Sequence, residues 1–192
     1  ETVWDLASLT KVLATTPIMM TMVHRGEVSL ETRVCDLLPE VAEGITVGHL
    51  LSHCAGIPAW KAFVDVVSLE AAGGEETRER ILLDASRVNL EAVPGSRHLY
   101  SDIGFLILAR VIETVTGLSL KQAYRERVGV PSGVQLHWGH PDAAATEDCP
   151  QRQRVVRGEV HDLNAWLMGG VSTHAGLFGT ATDVAASAAW QV

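Results

Sequence analysis

Cysteine is scarce in this sequence. Cys35, Cys54 and Cys149 are an odd number and form no Cys-x-x-Cys pair, which argues against a disulfide framework and against a cysteine-built zinc site. Positive charge is short as well. Lys and Arg number 15 against 23 Asp and Glu, for a formal net charge of −8. An acidic chain without a basic cluster is a poor candidate for binding nucleic acid or an anionic membrane surface. Long apolar runs are missing too. The best stretch, Val12 to Val23, is cut by Thr15, Thr16, Pro17 and Thr21, so no membrane span is expected. No signal-peptide pattern is visible, in a chain that opens at Glu1 without Met. What is there, 47% hydrophobic and 20% charged residues over 192 positions, suits one globular domain or part of a larger one.

Apolar spacing predicts mainly helices. Leu9, Val12, Leu13, Met20 and Val23 fall at helical spacing between Leu9 and His24. Gly26 stops that helix, and Pro17 should kink it because proline removes a backbone bond. Thr46 caps a short helix from Val47 to His53. A helix follows from Glu75 to Arg87. The strongest pattern runs from Asp102 to Val115, with Gly117 at its end, and another short helix covers Leu120 to Arg127. Residues 129–180 are rich in Gly, Pro, Asp and His and read as loop. Thr180-Ala181-Thr182-Asp183 resembles a capping box that opens a last helix. Strand signals are few. On periodicity alone this is a helical domain, or the middle of an α/β protein without its outer strands.

Two elements carry chemistry. Ser8-Leu9-Thr10-Lys11 is a Ser-x-x-Lys at a helix start. A serine hydroxyl is a weak nucleophile until a nearby base takes its proton. Positions i and i+3 share a helix face, so Ser8 stands one turn from Lys11. The helix N-terminus adds a positive potential that favours an alkoxide. Four such residues also occur by chance, as a helix cap followed by a solvated lysine. The second element is Tyr100-Ser101-Asp102, on a turn after Pro94-Gly95. A phenol and a short polar group on a tight turn can enter one cleft, where Tyr100 acts as base or shares a proton with Lys11. The structural alternative makes Asp102 a helix N-cap and Tyr100 a packed aromatic.

These segments resemble, in order, those of the serine β-lactamase, penicillin-binding protein and esterase superfamily, nearest its class C-like branch. Trp4 to Lys11 matches Phe/Trp-Asp-Leu-Ala-Ser-x-Thr-Lys. Ile45 to Pro58 is similar to the family's ITVRHLLTHTSGLP segment, and Pro94-Gly95 through Phe105 to its PG…YSNxGY segment. Gly158 to Ala165, Gly169-Gly170 and His174 to Ala181 resemble a sub-branch of serine hydrolases and D-alanyl-D-alanine carboxypeptidases. The resemblance implies an α/β, β-lactamase/transpeptidase-like fold. Residues 1–192 would be one partial domain: a nucleophile helix (8–24), a helical region (45–128), a loop-rich part (129–180) and a truncated last helix (181–192). The N- and C-terminal sheet strands would be missing. It implies Ser8 as acylated nucleophile, Lys11 as proton acceptor and Tyr100 as catalytic partner. Asp102 stands where the family usually has Asn. A carboxylate there favours charged Lys11, makes Tyr100 the better base and repels anionic substrates.

The family's third motif is Lys-Thr-Gly or His-x-Gly on a cleft strand. His174-Ala175-Gly176 fits the letters, making His174 and Gly176 candidate substrate-binding residues. The capped helix that follows them speaks against a cleft strand and places the true third motif beyond this chain. No cofactor and no metal are expected. His49 and His53 have i, i+4 spacing but no Glu between them, and Cys54 reads as a packed thiol rather than a Cys-His nucleophile. The expected partner is a small ester, a β-lactam or a peptidoglycan peptide, cleaved through an acyl-enzyme. The rival is a non-catalytic penicillin- or peptidoglycan-binding relative, or an inactive fragment. The compartment stays open between the bacterial cell envelope or periplasm and the cytoplasm.

Overall fold

The computed structural model describes residues 1–134 and 136–191. Val192, the end of the expected last helix, and Gln135, in the expected loop, lie outside the described residues. A short strand, β1 (Trp4–Asp5), leads through a turn into the first helix, which begins at Leu9. Lys11–Thr15 form a π turn that runs straight into α1 (Thr16–His24). Pro17 has no N–H to give, and the Thr16 N–H reaches back to Lys11 O. The ladder is thus reset one turn before the proline, which is how this helix accommodates it.

The face that α1 and its π turn bury differs from the expected stripe. Lys11, Leu13, Ala14, Thr15, Ile18, Met19 and Met22 are buried, whereas Leu9, Val12 and Met20 are about half exposed. The helix is apolar nearly all round, so spacing could not choose between its faces.

Next come α2 (Val34–Leu37), α3 (Val47–Leu51), α4 (Glu75–Ser86) and α5 (Asp102–Thr116). Local chemistry explains their limits. Thr46 accepts the His49 N–H while His49 Nδ1 accepts the Thr46 N–H, a capping box at α3. Ser101, not Asp102, caps α5, by accepting the Gly104 N–H; Asp102 occupies the first helical position. At the other end Gly117 takes φ 67°, the left-handed conformation that ends a helix without Cβ strain. α5 is the central pillar. Ile103 to Ala109, Val111 and Ile112 are all buried, against α4 on one side and α3 on another. Each such large aliphatic or aromatic side chain stabilises by about 1.5–3 kcal/mol when fully buried.

The helix expected over 120–127 is longer. α6 (Leu120–Tyr124) continues through a π turn at Arg125–Gly129 into α7 (Val130–Ser132). Arg127, almost buried, pairs with Glu27 at 2.6 Å and ties this turn to the end of α1.

The loop expected over 129–180 holds most of the strands. These are β2 (His137–Trp138), β3 (Ala145–Cys149), β4 (Arg154–Arg157) and β5 (Leu177–Gly179), with α8 (Leu163–Leu167) among them. β5 lies at the centre of an antiparallel sheet of order β1-β5-β2, with Trp4 opposite Gly179 and both Asp5 and His137 opposite Phe178. β3 and β4 form a separate hairpin. A buried three-residue strand shows no alternation, so β5 leaves no period-2 signal. α9 (Ala181–Trp190) opens on a Thr180–Asp183 capping box, as expected. Among the described residues, no single helix is long and apolar enough to cross a membrane.

Candidate active site

Ser8 is presented by a strained turn. Ala7, just before it, has φ 45°, a conformation that non-glycine residues seldom adopt. The Asp5 carboxylate holds this turn. Its Oδ1 accepts the Ala7 N–H at 2.8 Å and its Oδ2 accepts the His161 N–H at 2.6 Å. Ser8 itself is exposed, and among the described residues no acceptor engages its N–H.

Lys11 is the buried partner, with its side chain only 3% exposed. Its Nζ donates to Ser8 Oγ at 3.2 Å and to His174 O at 3.1 Å. Asp102 Oδ1 lies 2.6 Å from the same nitrogen. That third approach is a charge contact without hydrogen-bond alignment, since Asp102 Oδ1 receives no directed donor. Lys11 thus has a hydroxyl and a carbonyl as hydrogen-bond partners and a carboxylate as its charge contact.

Tyr100 meets Lys11 with its ring, whose centroid is 4.9 Å from Nζ; Phe105 adds a second ring at 5.5 Å. His53 backs both rings, 4.4 Å from Tyr100 and 5.2 Å from Phe105. Its Nδ1 accepts the Ser101 N–H at 3.0 Å. Burial, and then the charge of Lys11, push the His53 pKa below its ordinary value. His49, the other member of the i, i+4 pair, spends its Nδ1 on the α3 cap. Cys54 is half-buried and donates weakly to Ser52 O. Among the described residues, no three His, Cys, Asp or Glu side chains cluster as a metal site would need.

Ser8, Lys11, Tyr100 and Asp102 therefore stand together, although 92 positions separate Ser8 from Tyr100 in the chain. The side chain of His174 and the backbone at Gly176, expected to contact substrate, do not face the same way. His174 is 1% exposed. Its Nδ1 pairs with Ser172 Oγ at 2.7 Å and its Nε2 with Asp162 Oδ1 at 2.9 Å. Only its carbonyl reaches the site, through Lys11. Gly176 is buried at φ 116°, and a Cβ there would lie 2.3 Å from Gly170 O. Its glycine serves a close backbone crossing.

Several residues at the site carried no clear signal in the sequence. Thr15 Oγ1 donates to Thr173 O at 2.7 Å, and Thr10 Oγ1 accepts the Leu177 N–H at 3.1 Å. These bonds sew residues 172–177 along the first helix. Asp162 caps α8 through the Ala165 N–H at 2.7 Å. Burial opposes its charge, but the hydrogen bond and charge of His174, the Ala165 N–H and Lys11 outweigh that and hold its pKa at about 2. Thr10 and Asp5 lie inside the Trp4–Lys11 motif, and their letters could have flagged them. Ser172 and Thr15 had no such marker.

An exposed serine one helical turn from a buried, carboxylate-paired lysine, on a helical body braced by small antiparallel sheets, defines a β-lactamase/transpeptidase-like fold of the α/β class. The chain belongs to the beta-lactamase family, whose family model matches residues 1–190. A protein of Salmonella agona (strain SL483) described as "Putative D-alanyl-D-alanine carboxypeptidase" is 31% identical, over 96% of this chain and 50% of its own length. The penicillin binding protein from Bacillus halodurans superposes with a TM-score of 0.76 at 20% identity, over 98% of this chain and 60% of that one. EstCE1, described as a hydrolase with promiscuous acyltransferase activity, superposes with a TM-score of 0.70 at 24% identity, over 97% and 58%. The chain spans about half the length of the curated relatives it matches.

Proposed function

We propose that this chain carries the nucleophilic centre of a serine hydrolase that cleaves an ester, amide or peptide carboxy-end through an acyl-enzyme at Ser8. The observation that supports this most is the 3.2 Å contact between exposed Ser8 Oγ and buried Lys11 Nζ. Ser8 Oγ attacks the acyl carbon, and its proton passes along the contact to Lys11 in its neutral amine form, whose lone pair receives it. Asp102, 2.6 Å from Nζ, offsets the charge that Lys11 gains. Tyr100, beside the ammonium, supplies a proton to the leaving group. The Ser8 N–H, at the start of a helix, is one donor for the oxyanion, where removing a single donor commonly costs about 10²–10³ in rate.

Tyr100 turns its ring to Lys11, which favours Lys11 over Tyr100 as acceptor of the serine proton. The substrate side is shaped by Asp102. Its carboxylate opposes an anionic substrate, so small neutral esters such as p-nitrophenyl acetate should be cleaved faster than cephalosporins. The similarity to a described carboxypeptidase and to a hydrolase with acyltransferase activity fits a carbonyl substrate of this breadth. The test is covalent labelling of the complete protein with a fluorophosphonate or a fluorescent penicillin, read by peptide mass. Label should sit on Ser8 and vanish in Ser8→Ala. Undiminished labelling of that variant would sink the proposal.

A further inference from the structure

The carbonyl that holds Lys11 belongs to a histidine whose ring is buried and occupied. With Asp162 accepting, His174 Nε2 donates, and Nδ1 pairs with the Ser172 hydroxyl. Ser172, Thr173 and His174 are at most 1% exposed, so no substrate reaches these side chains. Thr173 is fixed independently: its carbonyl accepts from Thr15 and its hydroxyl donates to Phe105 O.

Asp162 is also anchored from behind. Arg152 lies over the Trp166 ring at 4.8 Å and donates to Val160 O at 2.7 Å and His161 O at 2.9 Å. The loop 160–162 therefore touches the site twice. Through the His161 N–H it holds Asp5, and with it the strained turn before Ser8. Through Asp162 it holds the His174 ring, and with it the carbonyl at Lys11.

We propose that partly buried Asp162 and buried His174 and Ser172 form a clamp that sets the His174 carbonyl against Lys11, so that loop 160–162 registers the lysine and the nucleophile turn to each other. Asp162 and His174 are positioning residues, acting through Lys11. The inference rests on the reading of Ser8 as nucleophile. Reacting groups tolerate little displacement: a misplacement of about 1 Å can cost about 10²-fold in rate. A clamp behind Lys11 should thus govern the acylation step and leave substrate affinity alone.

The experiment compares complete wild-type protein with Ser8→Ala, His174→Ala, Asp162→Ala, Asp162→Asn and Ser172→Ala. The readouts are the rate of fluorophosphonate labelling per labelled site, and kcat and KM for p-nitrophenyl acetate normalised to titrated sites. His174→Ala and Asp162→Ala should lower the labelling rate and kcat by roughly 10–100-fold, with KM within about twofold. Asp162→Asn keeps the acceptor oxygen and should recover most of the Asp162→Ala loss. A merely structural role would reduce the number of sites without slowing each one. Should the larger truncations fail to fold, Ser172→Ala, which removes one hydroxyl, should still slow each site about 3–10-fold. Wild-type rates per site in the folded variants, with Ser8→Ala silent, overturn the clamp alone. Equal losses in Asp162→Asn and Asp162→Ala overturn it too. Labelling that survives Ser8→Ala overturns the nucleophile reading and the clamp with it.

Discussion

Asp102→Asn separates the two tasks of one carboxylate. Asp102 Oδ1 lies 2.6 Å from Lys11 Nζ, with the lysine side chain 3% and the aspartate side chain 20% exposed. Removing one partner of a buried pair outright costs about 3–5 kcal/mol. Asn keeps a neutral polar group at the same place, so the loss should be smaller, about 2 kcal/mol. In a domain of this size that lowers Tm by roughly 4–8 °C. The same change removes a negative charge from the cleft. Two unit charges about 7 Å apart at an effective dielectric of about 40 repel by roughly 1 kcal/mol. That is about fivefold to tenfold in relative rate. The variant should therefore be less stable, yet its preference for p-nitrophenyl acetate over a chromogenic cephalosporin should shrink by about that factor. The assay is kcat/KM for both substrates on wild type and variant, beside thermal melts. A ratio unchanged within twofold, or a wild type that cleaves cephalosporin near about 10⁷ M⁻¹s⁻¹ with poor ester turnover, would refute the reasoning about Asp102.

Lys11→Met should leave Asp102 unpaired and cost about 3–5 kcal/mol; adding Asp102→Asn should restore most of that stability and none of the ester hydrolysis, as a double-mutant cycle of melts and rates will show. Tyr100→Phe keeps the ring over Lys11 and loses the hydroxyl, so kcat should fall about 10²-fold with little change in KM if the phenol moves a proton. Gly176→Ala should destabilise severely, because the new Cβ meets Gly170 O at 2.3 Å, whereas Gly26→Ala, with nothing within 4 Å, should cost only the left-handed penalty of about 1–2 kcal/mol; denaturant midpoints compare the two. Asp162 has a folded pKa of about 2, below its unfolded value. Its contribution is then full above about pH 4 and lost as pH falls toward about 2. The stability gap between wild type and Asp162→Asn should close by roughly 2 kcal/mol across that window.

Much of the site is legible in the sequence because its chemistry is local. Ser8 and Lys11 share a face by helical geometry alone, and the turn from Pro94-Gly95 into α5 brings Tyr100, Ser101 and Asp102 together within three positions. Caps and stops are readable for the same reason. Thr46, Thr180 and Gly117 act on backbone groups within a turn of themselves. Other features have no local cause. Which side of the first helix faces inward is decided by what packs on it, since apolar residues line both sides. β1 and β5 are two and three residues long and exist only because distant segments pair, Trp4 with Gly179 and His137 with Phe178. Lys11 and the His174 carbonyl are 163 positions apart, and nothing in the spacing of either could mark the histidine as a clamp rather than a ligand contact. The sequence by itself determined that Ser8 and Lys11 share a face, and the elements that carry them, because helix geometry acts over three or four residues. Only the tertiary structure decided that the His161 N–H reaches Asp5 and that His174 turns inward, because burial and long-range pairing depend on where the rest of the chain comes to lie.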